Sequence, residues 1–407
     1  MTSDTTTRPG STLTALAEPL TVPPTGEPMP GWHQSLGKGA AGIALLHAER
    51  AHAGLGDWAT VHAWLTTVIS SGLSAGPDAG LFFGAPAAAY AIHTAAGGEP
   101  GRYGRALATL DNAVATMTAE RLDQAHARID RGDLPATTEF DLITGLTGIG
   151  ALLLRRDPGG RLLREVLAYL VRLTEPLPYR GDALPGWWTY LSPRNRLTPD
   201  FPRGHGNLGM AHGITGPLAL LSLAARAGTL VDGHAAAIRR ICTFLTDWQQ
   251  HDEAPWWPQW LTVDTAGRLH PGQQTPGRPS WCYGTPGVAR ALQLAGIALH
   301  DAALLDTADA AMAACLTAPG QLGLMVDNSL CHGWAGLLQT AARFAADART
   351  PCLAEHLAEL VDRLLYGSGP TGGPAGLLEG DAGVVLALHT AAHGAPVSDW
   401  DVCMLLA

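Results

Sequence analysis

Two short stretches hold the side chains best suited to chemistry. Arg278-Pro279-Ser280-Trp281-Cys282-Tyr283-Gly284-Thr285-Pro286-Gly287 is echoed by Cys331-His332-Gly333-Trp334-Ala335-Gly336. In both, a cysteine stands two residues before a glycine, and a second glycine follows three residues later. Cys282, Cys331 and His332 offer two thiolates and one imidazole, a soft three-ligand set that suits zinc and leaves a fourth position open. The two cysteines are 49 residues apart, too far for a compact finger. Only a fold that returns the chain to the same place can make one site of them.

Such a fold is written in a sevenfold repeat. A block of small residues, usually G-x-x-G, opens an apolar run at Gly39, Gly84, Gly145, Gly213, Gly284, Gly333 and Gly380. These leading glycines are 45 to 71 residues apart, and only the second block departs, with Ala87 in place of its second glycine. Each block is followed by a run that is apolar all round, such as 43–47 or 384–388, the pattern of a helix buried on every side. A more amphipathic run comes next, as at 58–71, 161–174, 233–249, 302–316 and 353–366. Asp57 and Pro351 stand where an N-cap and a first-turn proline belong. Ser398 with Asp401 is expected to open a short last helix. An open solenoid needs polar-faced end caps, whereas this chain stops at Ala407 on an apolar run. The expected fold is therefore all-α: an α/α toroid (double-layered barrel) of seven helical hairpins over 31–407. A Pro/Thr-rich extension at 1–30, expected to be partly disordered, precedes it, and no strand-rich domain is evident. The connections 175–212 and 251–282 exceed ordinary loop lengths, which points to function. The second carries Trp256, Trp257 and Trp260; it reads equally as a lid, a peptide-binding wall or a surface loop packed on its own tryptophans.

Equivalent positions in a repeat point at equivalent places. Just before the leading glycines stand Lys38, Phe83, Thr144, His212, Tyr283, His332 and Glu379; two before stand Gly37, Phe82, Ile143, Ala211, Cys282, Cys331 and Leu378. Reactive side chains thus gather at one register in repeats four, five and six, where helices packed about 8–10 Å apart can let neighbours share one ion. His212 shares that register, unlike His205 and His389, which read as structural or exposed. Asp141, four residues before its glycine, would alone be an ordinary helix cap; its place in the repeat makes it a site candidate. Arg278 lies four residues before Cys282 in an otherwise neutral stretch.

Composition narrows the classes. Only 15% of residues are charged, and the net charge of −10 argues against a general nucleic-acid binder. No apolar run reaches the roughly 20 residues needed to span a bilayer, and the start lacks the basic and apolar regions of a signal peptide, so the expected compartment is the cytoplasm. Six cysteines are too few and scattered for a disulfide scaffold. Cys242, Cys315, Cys352 and Cys403 read as buried small hydrophobes.

Trp281-Cys282-Tyr283-Gly284-x-Pro286-Gly287, Cys331-His332-Gly333, Asn207-Leu208-Gly209-Met210-Ala211-His212-Gly213 and Leu378-Glu379-Gly380-Asp381-Ala382-Gly383 resemble the signatures of lanthionine synthetase C-like proteins, the lanthipeptide cyclases. The likeness runs in order from about Gly31 to the C-terminus. It implies a seven-hairpin α/α toroid with zinc held by Cys282, Cys331 and His332 and water in the open position, and His212, Asp141, Arg278 and Tyr283 lining the site. The implied reaction is addition of peptide cysteine thiols to dehydroalanine or dehydrobutyrine, closing thioether rings. The implied partners are a dehydrated precursor peptide (leader plus core), a separate dehydratase and a transporter, in a complex at the membrane periphery. Three other readings stay open: a relative that adds glutathione to dehydroamino acids, a non-catalytic peptide-binding zinc toroid, and a zinc toroid of the prenyltransferase kind. The last would want an Asp-Cys-His ligand set and a lysine-rich diphosphate pocket, and Lys38 is the one lysine.

Overall fold

The computed structural model describes the chain apart from residues 1–12, 27, 100, 180–181, 265, 350–352 and 368–373. Pro351, Cys352 and the start of the N-terminal extension lie outside the described residues. Each small-residue block leads into a helix buried along nearly its whole length: Ala40–His52, Ala85–Ala96, Leu146–Arg156, Thr215–Arg226, Thr285–Leu299, Trp334–Asp347 and Asp381–His393. The leading glycine is the N-cap in six of them; in the fourth, Ile214 takes that place. The second helices are Trp58–Val68, Gly104–Asp130, Arg161–Leu173, His234–Asp247, Ala302–Thr317 and Leu353–Tyr366. Asp57 caps as expected, its carboxylate accepting from the Thr60 amide at 2.8 Å and the Thr60 hydroxyl at 2.9 Å.

Sterics explain the blocks. A Cβ on the second glycine would lie closer than 3.0 Å to the carbonyl oxygen six residues earlier: Leu36 for Gly42, Met210 for Gly216, Trp281 for Gly287, Leu330 for Gly336 and Leu377 for Gly383. A Cβ on the leading glycine would strike the backbone nitrogen four residues earlier in repeats three to seven. In these five repeats the chain therefore doubles back on the first turn of the buried helix at a distance only glycine permits. The residue three before the leading glycine is apolar in all seven repeats: Leu36, Leu81, Leu142, Met210, Trp281, Leu330 and Leu377. None of these is more than 1% exposed, so the same loop shape is plugged seven times from below.

The chain forms two compact units, Met1–Asn112 with Met325–Asp401 and Ala113–Leu324 with Val402–Ala407. In the first, the buried helices pack in the spatial order six, seven, one, two. Their turns are linked by Cys331 N–H to Leu378 O (2.8 Å), Leu378 N–H to Gly37 O (2.8 Å) and Leu36 N–H to Phe82 O (3.0 Å), so the last repeat is joined directly to the first. In the second unit the order is three, four, five, with Leu142 N–H bonded to Ala211 O (3.1 Å) and Met210 N–H to Cys282 O (2.9 Å). The register just before the leading glycines is thus a run of neighbouring turns within each unit.

The short last helix expected at Ser398 and Asp401 is a five-residue 3-10 turn, Trp400–Met404, with Asp401 in its first turn. Buried Glu49, on the first buried helix, accepts from the Val397 and Ser398 amides (2.7 Å each) and from the Ser398 hydroxyl. His389 Nδ1 stands 3.3 Å away. Burial alone would raise the Glu49 carboxyl, but His389 and these bonds bring it below its ordinary range. Asp401 accepts from Arg343 (2.6 and 2.7 Å) and Gln339 (2.6 Å). Both carboxylates fasten the chain's end to buried helices, because a buried charge needs partners.

The long connections hold short strands, too brief to show a two-residue period. Leu177–Tyr179 pairs with Asp182–Leu184. Trp260–Val263 pairs antiparallel with both Gly206–Asn207 and Leu269–Pro271, so the second connection braces the first. Trp256 and Trp257 are buried, their indoles bonded to Asp252 Oδ2 (2.9 Å) and Leu245 O (2.7 Å). This favours the reading of an ordered connection packed on its own tryptophans. Cys242, Cys315 and Cys403 are buried as expected, and burial raises the Cys242 and Cys315 thiols to about 12.

His205 is structural and carries a pH prediction. It is 0% exposed, its Nδ1–H donates to Leu191 O at 2.7 Å, and Nε2 has no hydrogen-bond partner among the described residues. Burial pulls it from 6.5 to about 4. A depressed histidine leaves its contribution intact above the unfolded-state value and loses it as pH falls from 6.5 toward 4, by about 3 kcal/mol in full. Denaturant titrations between pH 7 and 4 should therefore show a steeper acid loss in the parent than in His205→Gln; identical slopes would refute the assignment.

Candidate active site

Repeats three, four and five bring three chemical groups together in the second unit. Asp141 is wholly buried at the turn before Leu146–Arg156. Its Oδ1 accepts from the Thr144 amide (2.7 Å) and the Gly145 amide (2.8 Å), which is the ordinary turn-capping role. Its Oδ2 accepts from His212 Nδ1–H at 2.6 Å. The two roles coexist because a carboxylate has acceptor capacity for three such bonds. His212 is 42% exposed against none for Asp141, so the pair is anchored at one end and open at the other. With Nδ1 engaged, Nε2 is the ring nitrogen left for another partner. Burial alone would lower the His212 pKa, but the Asp141 bond and charge, with a further contribution from Cys282, raise it above 6.5.

Cys282 is buried, with Sγ 3.7 Å from Ser280 Oγ, and its carbonyl is bonded to the turn that carries His212. The Tyr283 ring lies 6.3 Å from the His212 ring, centroid to centroid. Its hydroxyl accepts from Asn207 Nδ2–H at 2.9 Å, while Asn207 Oδ1 accepts from the Gly209 amide at 3.0 Å. A Cβ at Gly209 would press within 2.6 Å of the Tyr283 ring, so this glycine makes room for it. Arg278 is half-buried and enters the turn through its carbonyl, which packs against Gly284.

Cys331 and His332 belong to the first unit, on the turn before Trp334–Asp347. His332 Nδ1 is 2.6 Å from Ser329 Oγ and 3.9 Å from Asp327 Oδ2. With Nδ1 so engaged, Nε2 is the nitrogen that would ligate a metal, the arrangement in which a ligating histidine donates its other N–H. Two sulfurs and this imidazole are chemically suited to zinc. Among the described residues, no group of three or more His, Cys, Asp or Glu side chains stands in a metal-binding arrangement. The structure therefore gathers Asp141, His212, Cys282 and Tyr283, and sets Cys331 and His332 on the equivalent turn of repeat six.

Asn207 and Ser329 escape sequence reasoning, although both had a signal. Asn207 stands inside the stretch that carries His212. Ser329 shares its register, four before the leading glycine, with Ser35, Asp141 and Ser280. In all four the side chain accepts from the amide three residues on, at 2.7–3.3 Å.

A solved structure of nisin cyclase aligns with 98% of this chain and 96% of its own, with TM-score 0.77 and 20% identity. The two share a fold, the all-α toroid class. The chain belongs to the lanthionine synthetase C-like family, whose model matches residues 31–405. It is also 24% identical over 280 residues to nisin biosynthesis protein NisC of Lactococcus lactis subsp. lactis. That match takes in 66% of this chain and 64% of the relative's length. No helix among the described residues is long and apolar enough to cross a membrane.

Proposed function

We propose that this chain is a zinc-dependent lanthipeptide cyclase that adds cysteine thiols of a dehydrated peptide to dehydroalanine or dehydrobutyrine, giving lanthionine and methyllanthionine rings. The observation that carries the reading is the buried-to-open pair of Asp141 and His212, 2.6 Å apart and bonded through its turn to that of Cys282. Membership of the family and the name of the relative with this fold support it.

Cys282 and Cys331 through sulfur, and His332 through Nε2, would hold the zinc. When bound, it would make an incoming thiol acidic enough to react as a thiolate at neutral pH. His212, with Nδ1–H held by Asp141, takes up the thiol proton at Nε2. The sulfur bonds to the β-carbon, the double bond's electrons move toward the carbonyl, and Nε2 returns the proton to the α-carbon. The net change is one S–H bond and the π bond of C=C exchanged for one C–S and one C–H bond. An imidazole can both accept and return a proton, and the Asp141 carboxylate, by raising the His212 pKa, favours the form that holds it between the two transfers. Asp141 fixes the ring and stabilises its charged form between the two transfers. The Tyr283 hydroxyl, steadied by Asn207, and Arg278 are the candidates for donating to the enolate oxygen. The substrate is expected to come from a separate dehydratase and the product to leave through a transporter, with the cyclase at the membrane periphery in the cytoplasm.

The test is to incubate the zinc-loaded protein with a dehydrated precursor, then alkylate and weigh the peptide, since ring closure leaves mass unchanged. Loss of alkylatable thiols at constant mass supports the reading. Full alkylation throughout would overturn it, and peptide mass rising by whole glutathiones in a parallel glutathione reaction would favour the glutathione-adding alternative.

A further inference from the structure

We propose that Ser329, backed by Asp327, is a positioning residue that fixes the tautomer in which His332 presents Nε2 as a metal ligand. This rests on the zinc reading above. Serine at this register is not special by itself: Ser35 makes the same turn, accepting from the Lys38 amide at 3.1 Å. Ser329 does that too, accepting from the His332 amide at 3.3 Å, but it also lies 2.6 Å from His332 Nδ1. That second contact needs a cause beyond turn formation.

The surroundings decide which way the hydrogen points. Ser329 Oγ already accepts one N–H and retains a lone pair that Nδ1–H can use. Asp327 Oδ2 stands 3.9 Å from Nδ1, and Asp327 Oδ1 accepts from the Ser329 amide at 2.8 Å, which pins the carboxylate beside the ring. Negative charge beside Nδ1 favours an N–H there over a lone pair. If Nδ1 carries the hydrogen, Nε2 of the neutral ring carries the lone pair. The space is filled as well: a Cβ on Gly333 would strike both Asp327 Oδ1 and the Ser329 nitrogen. The glycine that opens the helix is thus what lets Asp327 and Ser329 close around the histidine. Outer partners of this kind orient ligating imidazoles and raise their basicity, and losing one costs about 10–100-fold in metal affinity.

The experiment compares the full-length parent with Ser329→Ala, Ser329→Thr and His332→Ala by zinc competition against a chromophoric chelator, alongside the melting temperature of each metal-free protein. Ser329→Ala should bind zinc about 10–100-fold more weakly than the parent, Ser329→Thr should restore most of that, and ¹⁵N-histidine spectra of the metal-free parent should show the proton on Nδ1 of His332. Zinc binding by Ser329→Ala as tight as the parent's overturns the proposal, as does a lowered melting temperature with unchanged zinc affinity, which marks a turn-forming role alone. His332→Ala keeping full zinc affinity would instead sink the metal assignment itself, so the two failures are distinguishable.

Discussion

His212→Ala is expected to slow thioether closure by about 10²–10⁴-fold, the range for loss of a positioned acid–base group, while zinc content and melting temperature stay near those of the parent. The expectation follows from how the ring is held. Its one described side-chain hydrogen bond is Nδ1 to Asp141, and its side chain is 42% exposed, so truncation removes little packing. Background addition of an activated thiol should persist, so the variant should be slow but still active. Rates from alkylation time courses, with zinc measured on the same samples, check this. A variant that keeps its zinc and cyclises at the parent rate would remove His212 from the mechanism.

Asp141 should behave differently, because it does two jobs. Asp141→Ala leaves the Thr144 and Gly145 amides without their acceptor in a buried turn. At about 1–3 kcal/mol for each such group, the loss for the two amides should be about 2–6 kcal/mol in addition to the loss of activity. Asp141→Asn keeps an oxygen for the two amides but turns an NH₂ toward His212 Nδ1. That pairing demands the opposite tautomer, with the hydrogen on Nε2, where the thiol proton must go. Asn should therefore hold stability within about 1 kcal/mol of the parent, since the accepting oxygen survives, yet lose about 10²–10⁴-fold in rate. Denaturation curves and single-turnover rates of the two variants separate the roles. Equal stability for Ala and Asn would contradict the capping role, and a parent-like rate for Asn would contradict the tautomer argument.

Much of this was readable before any coordinates, for one physical reason. A repeat converts distance in sequence into equivalence of position. Asp141 and His212 are 71 residues apart, and nothing local pairs them, yet aligning both on their glycines puts them on adjacent turns. The glycines were legible because close backbone approach tolerates no substitute, and the buried helices because they are apolar on every face. The bond from Asn207 to Tyr283, 76 residues away, was not legible, since an asparagine just after a glycine reads as an ordinary turn former. Two- to four-residue strands have no period to detect. The tertiary partners of Ser398 and Asp401 were not legible either: local reading offers the two residues only as helix starters, whereas Glu49 and Arg343, distant in sequence, bond to them. The apolar plug three residues before every leading glycine was visible in all seven repeats and is the clearest signal that register offered without chemistry attached.

The proposed cyclase requires sulfurs from repeats five and six and the imidazole of repeat six to bind a single cation. Zinc K-edge X-ray absorption on the purified protein addresses that most directly. The account requires two sulfur neighbours at about 2.3 Å and a nitrogen at about 2.0 Å, with the sulfur count falling to one in either Cys282→Ala or Cys331→Ala. A shell of nitrogen and oxygen alone, or a sulfur count unmoved by both substitutions, would contradict it.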